Sequence, residues 1–299
     1  TNMFTFAGTI KISIEVTDNS NYTLDGKNLI ATYTINKAQL NATNFSVSNQ
    51  VYTGFGVNIE KGLVLTLNNS EGSYNINVNE YEITEYRNNV NVSTSTNKAI
   101  AILIANDVNF TGRKEIEFTI VPKNIADEDV RVGEYEKEFI YTSLSQEPTF
   151  TLNYLHNNLL VETDFTVSIV RTSGNSDSLV THHINVGNFD VTLLGKGNFT
   201  GQKTLTYSIK PRDISTCTVD ISFVEPSFEF TGTGVEPTIQ SILVTFGGKQ
   251  LRLLASEYTI TYDNNVNATV GTNNKASITI NANGNYTGSK SKEFTILQK

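Results

Sequence analysis

The sequence predicts an all-β chain of tandem β-sandwich domains, and three observations predict it. One short phrase recurs at domain-length intervals. Apolar residues alternate with polar ones at every second position, and Asn, Gly and Asp clusters interrupt the alternation as turns would. No stretch of helical length carries apolar residues at spacings of three and four.

The phrase reads Asn21-Tyr22-Thr23, Asn109-Phe110-Thr111-Gly112, Asn198-Phe199-Thr200-Gly201 and Asn285-Tyr286-Thr287-Gly288, at intervals of 88, 89 and 87 residues. Nine residues after the last three copies comes an aromatic-x-Ile triplet: Phe118-Thr119-Ile120, Tyr207-Ser208-Ile209 and Phe294-Thr295-Ile296. The first copy has Tyr33-Thr34-Ile35 twelve residues on. A period this long is a domain with its own core, not a solenoid rung that needs neighbours. Tyr52-Thr53-Gly54, Tyr141-Thr142-Ser143 and Phe230-Thr231-Gly232 keep the same phase, 89 residues apart. The expected boundaries are therefore a partial domain at 1–37 and complete domains at 38–122, 123–211 and 212–299.

Within a domain the period is two. Ile116, Phe118 and Ile120 alternate with Glu115, Glu117 and Thr119, and Tyr74, Ile76 and Val78 with Asn75 and Asn77. Such runs, rich in Thr, Ile, Val and aromatics, make strands half-buried on one face. Short strands at this density point to a sandwich. Phe246-Gly247-Gly248-Lys249-Gln250-Leu251 reads as a tight hairpin, with Gly supplying positive φ. In its counterpart, Tyr154-Leu155-His156-Asn157-Asn158-Leu159, an asparagine is expected to take that role. The recurring phrase becomes the turn between the last two strands. Phe118, Tyr207 and Phe294 are expected to face inward.

The joints are short: Val121-Pro122-Lys123-Asn124 leads to Ile125, and Lys210-Pro211-Arg212-Asp213 to Ile214. Proline fixes φ in both, which makes stiff junctions. Three domains end to end, with strands of roughly 23–30 Å, would make an elongated rod on the order of 100 Å. Residues 1–37 hold only two strands of a sandwich, 7–14 and 29–35, and an isolated hairpin is marginal in water. Truncation of a longer array explains them, and so does strand exchange with a neighbouring molecule.

Composition bounds the partners. Acidic residues outnumber basic ones, 30 to 22, for a formal charge of −8. That balance argues against nucleic acid, whose binders show a basic patch or stripe. No apolar run reaches transmembrane length and no signal peptide is seen at Thr1, so no membrane insertion is expected of these residues. Cys217 is the single cysteine, which forbids an intrachain disulfide; its setting, Ser215-Thr216-Cys217-Thr218-Val219, suggests a small core or edge residue.

In the last domain, Ser256-Glu257-Tyr258-Thr259-Ile260-Thr261-Tyr262-Asp263-Asn264-Asn265 is followed by Gly284-Asn285-Tyr286-Thr287-Gly288 and Phe294-Thr295-Ile296. These residues resemble the immunoglobulin-like repeats of large bacterial surface proteins, especially those of Gram-positive gut anaerobes. Their pattern is Y-T-G, D-Y-x-V-x-Y-x-N-N, then G-N-Y-x-G…F-x-I. The resemblance covers essentially the whole chain. The domain at 38–122 keeps Arg87-Asn88-Asn89 but has Asp107-Val108 where Gly would precede Asn109, and that at 123–211 has no Asn-Asn pair. Similar repeats occur in phage virion proteins and beside secreted enzymes. The resemblance implies an extracellular, cell-surface or secreted location and a structural or adhesive role.

Candidate chemistry is sparse. Asp263-x-Asn265-x-Asn267 has the oxygen spacing of a calcium loop but lacks its Gly and distal Glu, so a polar turn is expected. His182 and His183, read as strand neighbours, point to opposite faces and cannot share a metal. Asn-x-Ser/Thr acceptors occur at Asn21, Asn41, Asn44, Asn68, Asn91, Asn109, Asn198, Asn267 and Asn285, four of them simply restating the repeat phrase. A Lys–Asn isopeptide needs an inward lysine, and none is evident from the alternation. No nucleophile elbow, phosphate loop or zinc spacing is present.

The expectation is thus a non-enzymatic extracellular stalk of tandem Ig-like domains on a bacterial surface protein, with no catalytic residue, metal or cofactor. Its partners would be a host or cell-surface protein or a glycan, with self-association through residues 1–37. A filament or phage virion subunit assembled by strand exchange is one alternative. Another is a carbohydrate- or protein-binding accessory module of a secreted enzyme, with Tyr86 or Tyr262 as an exposed platform.

Overall fold

The computed structural model describes residues 6–15, 21, 29–70, 72–155, 157–179 and 182–299. The first copy of the phrase, at Tyr22-Thr23, and the turn residue His156 lie outside the described residues. Among the described residues the chain consists of strands, turns and short 3-10 turns, with no α-helix. It divides into two compact units: residues 1–130 with 154–166 and 194–202, and residues 131–153 with 167–193 and 203–299.

In the first unit, Asn44–Ser46, Val64–Asn69 and Gly72–Asn75 form one antiparallel sheet. Tyr81–Arg87, Ala99–Ala105 and Arg113–Phe118 form a second, with Ala99–Ala105 in the middle. Early and late strands also meet: Gln50–Val51 pairs in parallel with Ile120–Val121. Two antiparallel sheets enclosing an apolar core, closed by that parallel pair, make an immunoglobulin-like sandwich. Its core takes Leu40, Ile59 and Leu65 from one side and Ala101, Leu103 and Ile116 from the other. The alternation shows why these strands form: Ile116 and Phe118 are buried while Glu115 and Glu117 are exposed.

The hairpin of Gly8–Ile14 and Leu29–Ile35 is antiparallel, in register from Gly8↔Ile35 to Ile14↔Leu29. Ile12, Ile14, Ile30 and Tyr33 are 51–60% exposed on it.

The second unit repeats the plan. Thr218–Phe223, Ile239–Phe246 and Lys249–Arg252 make one sheet, and Tyr258–Asp263, Ala276–Ala282 and Ser289–Phe294 the other. Phe228–Glu229 pairs in parallel with Ile296–Leu297. Ile242, Val244, Ile278 and Ile280 are buried between the sheets. Phe294 packs edge-on against Phe223 and Phe228, at 6.2 and 5.3 Å. Glu138–Ile140 likewise runs parallel to Ser208–Lys210. Tyr207, like Phe118 and Phe294, is buried.

Local chemistry explains the turns. Gly247 and Gly248 take φ of 53° and 74° where Phe246 pairs with Lys249. In the counterpart hairpin it is Leu155 that turns left-handed, at φ 55°, and Asn157–Asn158 is strand, contrary to the expectation of an asparagine there. The Asn-Asn pairs have divided duties. Asn88 and Asn264 take φ of 52° and 51°, a conformation Asn tolerates. Asn89 and Asn265 hold the neighbouring loop through Nδ2, donating to the carbonyls of Val57 and Val235 at 2.9 and 3.0 Å.

Candidate functional site: the recurring joint

In its last three copies the repeat phrase forms the turn before the closing strand, and it does more than turn. In the first unit the joint is built around Tyr52, Tyr154 and Phe199. Phe199 stands edge-on to both tyrosines, at 5.4 and 5.8 Å, and is 4% exposed. The Tyr154 hydroxyl donates to the Tyr52 carbonyl at 3.2 Å. Asn198 Oδ1 accepts from the Val92 N–H at 2.9 Å, and its Nδ2 donates to Asn91 Oδ1 at 3.0 Å. The linker residues Lys123–Asn124 pair in parallel with Phe199–Thr200. Lys123 lies over the Tyr154 ring at 5.5 Å and is held by Asp127 and Asp129, each at 2.8 Å.

The second unit holds a joint of the same design. Tyr286 stands edge-on to Tyr141 at 5.3 Å. Asn285 Oδ1 accepts from the Val186 N–H at 3.0 Å, and its Nδ2 donates to Asn185 Oδ1 at 2.9 Å. Arg212–Asp213 pair in parallel with Tyr286–Thr287. Arg212 lies over the Phe246 ring at 4.2 Å and donates through Nε to the Tyr141 carbonyl at 2.8 Å. Burial pushes the phenols of Tyr141 and Tyr286 above their ordinary value, and the Glu257 carboxylate adds to both shifts.

Three residues of the phrase, the asparagine, the aromatic and the glycine, have a physical reason. The asparagine presents an acceptor to a backbone N–H and a donor to an amide oxygen, which aspartate or leucine cannot do. The aromatic fills the space between successive sandwiches. The glycine takes positive φ, 80° at Gly201 and 79° at Gly288. A Cβ there would collide with the side chain of the linker residue Asn124 or Asp213. Asn109 repeats the arrangement, accepting from the Ala7 N–H at 2.8 Å and donating to Glu80 at 2.7 Å.

The repeat without an Asn-Asn pair departs at one place. Where Asn89 and Asn265 clamp a loop, His183 stands: its carbonyl still accepts from the Gln146 N–H at 2.8 Å. Its Nδ1 lies 2.7 Å from Glu147 and its ring packs edge-on to Phe189 at 5.3 Å. Phe189 stacks on Tyr207 at 4.6 Å and carries the Arg171 guanidinium at 4.4 Å. Arg171 in turn pairs with Asp177, which is 4% exposed. A groove of about 800 Å³ lies alongside, lined in part by Val167, Ile169, Arg171 and His183. His182 and His183 lie outside the strands, so strand geometry does not decide their directions as the sequence reading assumed. Among the described residues no three His, Cys, Asp or Glu side chains converge as a metal would require.

The remaining sequence candidates are spent on structure. Asn264 Nδ2 donates to the Asn274 carbonyl at 2.8 Å and Asn265 Nδ2 to that of Val235 at 3.0 Å, so both amides of the expected polar turn are engaged with backbone. Tyr86 is half-buried, its hydroxyl 3.1 Å from the Ile59 N–H and its ring edge-on to Phe118 at 6.3 Å; Tyr262 is half-buried as well. Neither offers an open platform. Cys217 is buried, its Sγ 3.3 Å from the Asp213 carbonyl. Sequence reading missed the lysines. Lys114, Lys290 and Lys292 share the inward parity of Phe118 and Phe294. Lys114 donates to the carbonyls of Asn41 and Thr43 at 3.2 and 2.6 Å, and burial lowers its pKa. Lys290 reaches the Ser215 and Cys217 carbonyls, and Lys292 that of Ile221. Their stems lie over the core edge while the ammonium caps backbone groups.

No family model and no curated protein matches the sequence. Among solved structures the chain is similar to Sidekick-1 immunoglobulin domains 1–5, with a TM-score of 0.26, 12% identity, and coverage of 86% of this chain and 59% of that one. It is also similar to the N-terminal eight Ig domains of Down Syndrome Cell Adhesion Molecule isoform 1.30.30 (TM-score 0.27, 9% identity, 98% of this chain and 40% of that one). A third is the protocadherin GammaB4 extracellular domain (TM-score 0.21, 14% identity, 97% and 59%).

Proposed function

We propose that the chain is an extracellular, non-enzymatic structural and adhesive array on a bacterial surface. Its sandwiches would span 38–122, 123–211 and 212–299, preceded by the two strands within 1–37. The observation that carries this reading is the doubled joint. An aromatic pair, an asparagine clasp and a linker cation on a ring recur at Tyr52/Phe199 and at Tyr141/Tyr286. Side chains repeated at joints serve mechanics: each core is buried on its own, and each clasp resists bending of its linker.

Pulling single molecules of the full chain tests this. Three unfolding events are expected, each releasing about 30 nm for a sandwich of some 87 residues. Extension without discrete events, or a single event, overturns the tension-carrying role. Binding partners on this reading are surface proteins or glycans, and a glycan array probed with the full chain separates the two.

Self-association through residues 1–37 is a second reading, favoured by the exposed Ile12, Ile14, Ile30 and Tyr33 on the hairpin. Sedimentation of the full chain across concentration, with and without those residues, decides it. A monomer at all concentrations rules it out.

A further inference from the structure

Among the described residues, three buried side-chain atoms have no hydrogen-bond partner: Gln146 Oε1, His183 Nε2 and the Tyr207 hydroxyl. All three belong to one repeat, and each stands where the sister repeats avoid the difficulty. Gln146, whose N–H donates to the His183 carbonyl, replaces Val57 and Val235, whose N–H groups donate to the carbonyls of Asn89 and Asn265. His183 replaces those two asparagines. Tyr207, nine residues after its phrase, replaces Phe118 and Phe294. A buried polar atom without a partner lowers stability, so three in one core mark a place shaped for something besides packing.

Two further exchanges rearrange the space beside them. The carbonyls of Glu80, Asp164 and Glu257 accept equivalent bonds from Asn106, Lys196 and Asn283. Ile169 lies five residues after Asp164, as Tyr262 lies five after Glu257; Tyr86 lies six after Glu80 because of the bulge between Ile83 and Glu85. Ile169 thus has no ring where the sister repeats have one. Phe189 takes the place of Ala99 and Ala276, six residues before the equivalent bonds made by Gly195, Ala105 and Ala282, and it holds the His183 ring edge-on. Ile169 and His183 both line the groove of about 800 Å³. Small-molecule clefts commonly measure about 300–1,000 Å³.

Its chemistry selects the occupant. His183 Nδ1 lies 2.7 Å from the Glu147 carboxylate, which only accepts. In the neutral ring the proton therefore sits on Nδ1, and Nε2 offers a lone pair. Arg171 is neutralised by Asp177, whose other oxygen accepts from the Ile184 and Asn185 N–H groups. Glu147, half-exposed, faces only the imidazole. Val167, Ile169 and Val170 supply an aliphatic wall.

We propose that this groove binds a primary ammonium group on an apolar stem, from a free amine or from the side chain of a peptide lysine. The ammonium donates to His183 Nε2 and the Glu147 carboxylate, and the stem lies on Val167, Ile169 and Val170. The site is independent of the mechanical role of the joints.

Titrating the full chain with n-hexylammonium, followed by NMR of the His183 ring and the Ile169 methyl groups, should give saturable shifts. Hexanoate and 1-hexanol, of the same length, should bind about fivefold more weakly or not at all, the ratio one partly exposed charge contact gives. An Nα-acetyl-lysine amide distinguishes the sources: matching shifts assign a peptide lysine, and shifts from hexylammonium alone assign a free amine. Ile169→Tyr, which restores the ring of Tyr86 and Tyr262, should abolish the response. His183→Asn, the residue of the sister repeats, should weaken binding by about fivefold or more. Absence of shifts at these positions, equal binding of hexanoate or 1-hexanol, or an undiminished response in either folded variant overturns the proposal.

Discussion

The joint at Pro122 and the joint at Pro211 keep the same backbone bonds while exchanging side chains, and the exchange is coordinated. Both leave one socket carbonyl, that of Tyr52 or Tyr141, in need of a donor. In the first joint the Tyr154 hydroxyl supplies it and Lys123 only covers the ring. In the second, the counterpart of Tyr154 is Phe246, which has no hydroxyl, and the linker cation is Arg212, whose Nε reaches the carbonyl instead. The clasp asparagine, the turn glycine and the parallel linker pairing do not vary. What a joint requires, therefore, is a satisfied carbonyl and a covered ring, and two residue pairs meet that requirement.

The largest break of this comparison should come from the plug. Phe199→Ala removes a buried ring from a three-ring contact and should cost about 3–5 kcal/mol in denaturant unfolding. Gly288→Ala follows, at about 2–3 kcal/mol, because it combines a left-handed backbone with a collision at Asp213. The same change at a glycine with open surroundings, such as Gly232, should cost distinctly less. Asn285→Ala leaves the Val186 N–H without its acceptor and should cost about 1–3 kcal/mol, with faster exchange at that amide.

A smaller and sharper effect tests the coordination itself. Tyr154→Phe should destabilise the first joint by about 0.5–1.5 kcal/mol. Lys123→Arg should have little effect alone, yet recover most of that loss in the double variant. Additive losses in the cycle would show that the two donors do not substitute for one another. The smallest effect at neutral pH belongs to Tyr286→Phe, which keeps the ring. Its signature is at alkaline pH. The Tyr286 phenol is raised above its ordinary value of 10.0, so its stabilisation is complete below pH 10 and is lost as pH rises past that value toward the folded-state pKa. The phenylalanine variant should unfold less steeply above pH 10 than the parent, as followed by circular dichroism.

Legibility in the sequence followed the distance over which each reason acts. The strands, the Gly247-Gly248 hairpin and the spacing of Phe118, Tyr207 and Phe294 rest on neighbours a few residues apart, and alternation reveals them. Asn198 and Asn285 read only as turn residues, because their partners Val92 and Val186 lie 106 and 99 residues earlier in the chain. Lys114 was misread for a different reason. Its parity with Ile116 and Phe118 was visible, but an inward lysine makes sense only once the edge carbonyls of Asn41 and Thr43 stand beside it. His183 could be placed only by aligning it with Asn89 and Asn265, and the absence of an Asn-Asn pair in that repeat hides the alignment.

The parallel pairing of Gln50–Val51 with Ile120–Val121, and of Phe228–Glu229 with Ile296–Leu297, bears on how such a chain yields to force. Tension entering through one linker and leaving through the next draws the early strand toward its N-terminal end and the closing strand toward its C-terminal end. Because the two run the same way, those pulls slide the strands along each other. Their hydrogen bonds must then give way together, whereas an antiparallel pair pulled from one end opens one bond at a time. That two-residue pairing is thus the latch that must give way before the rest of the sandwich can open.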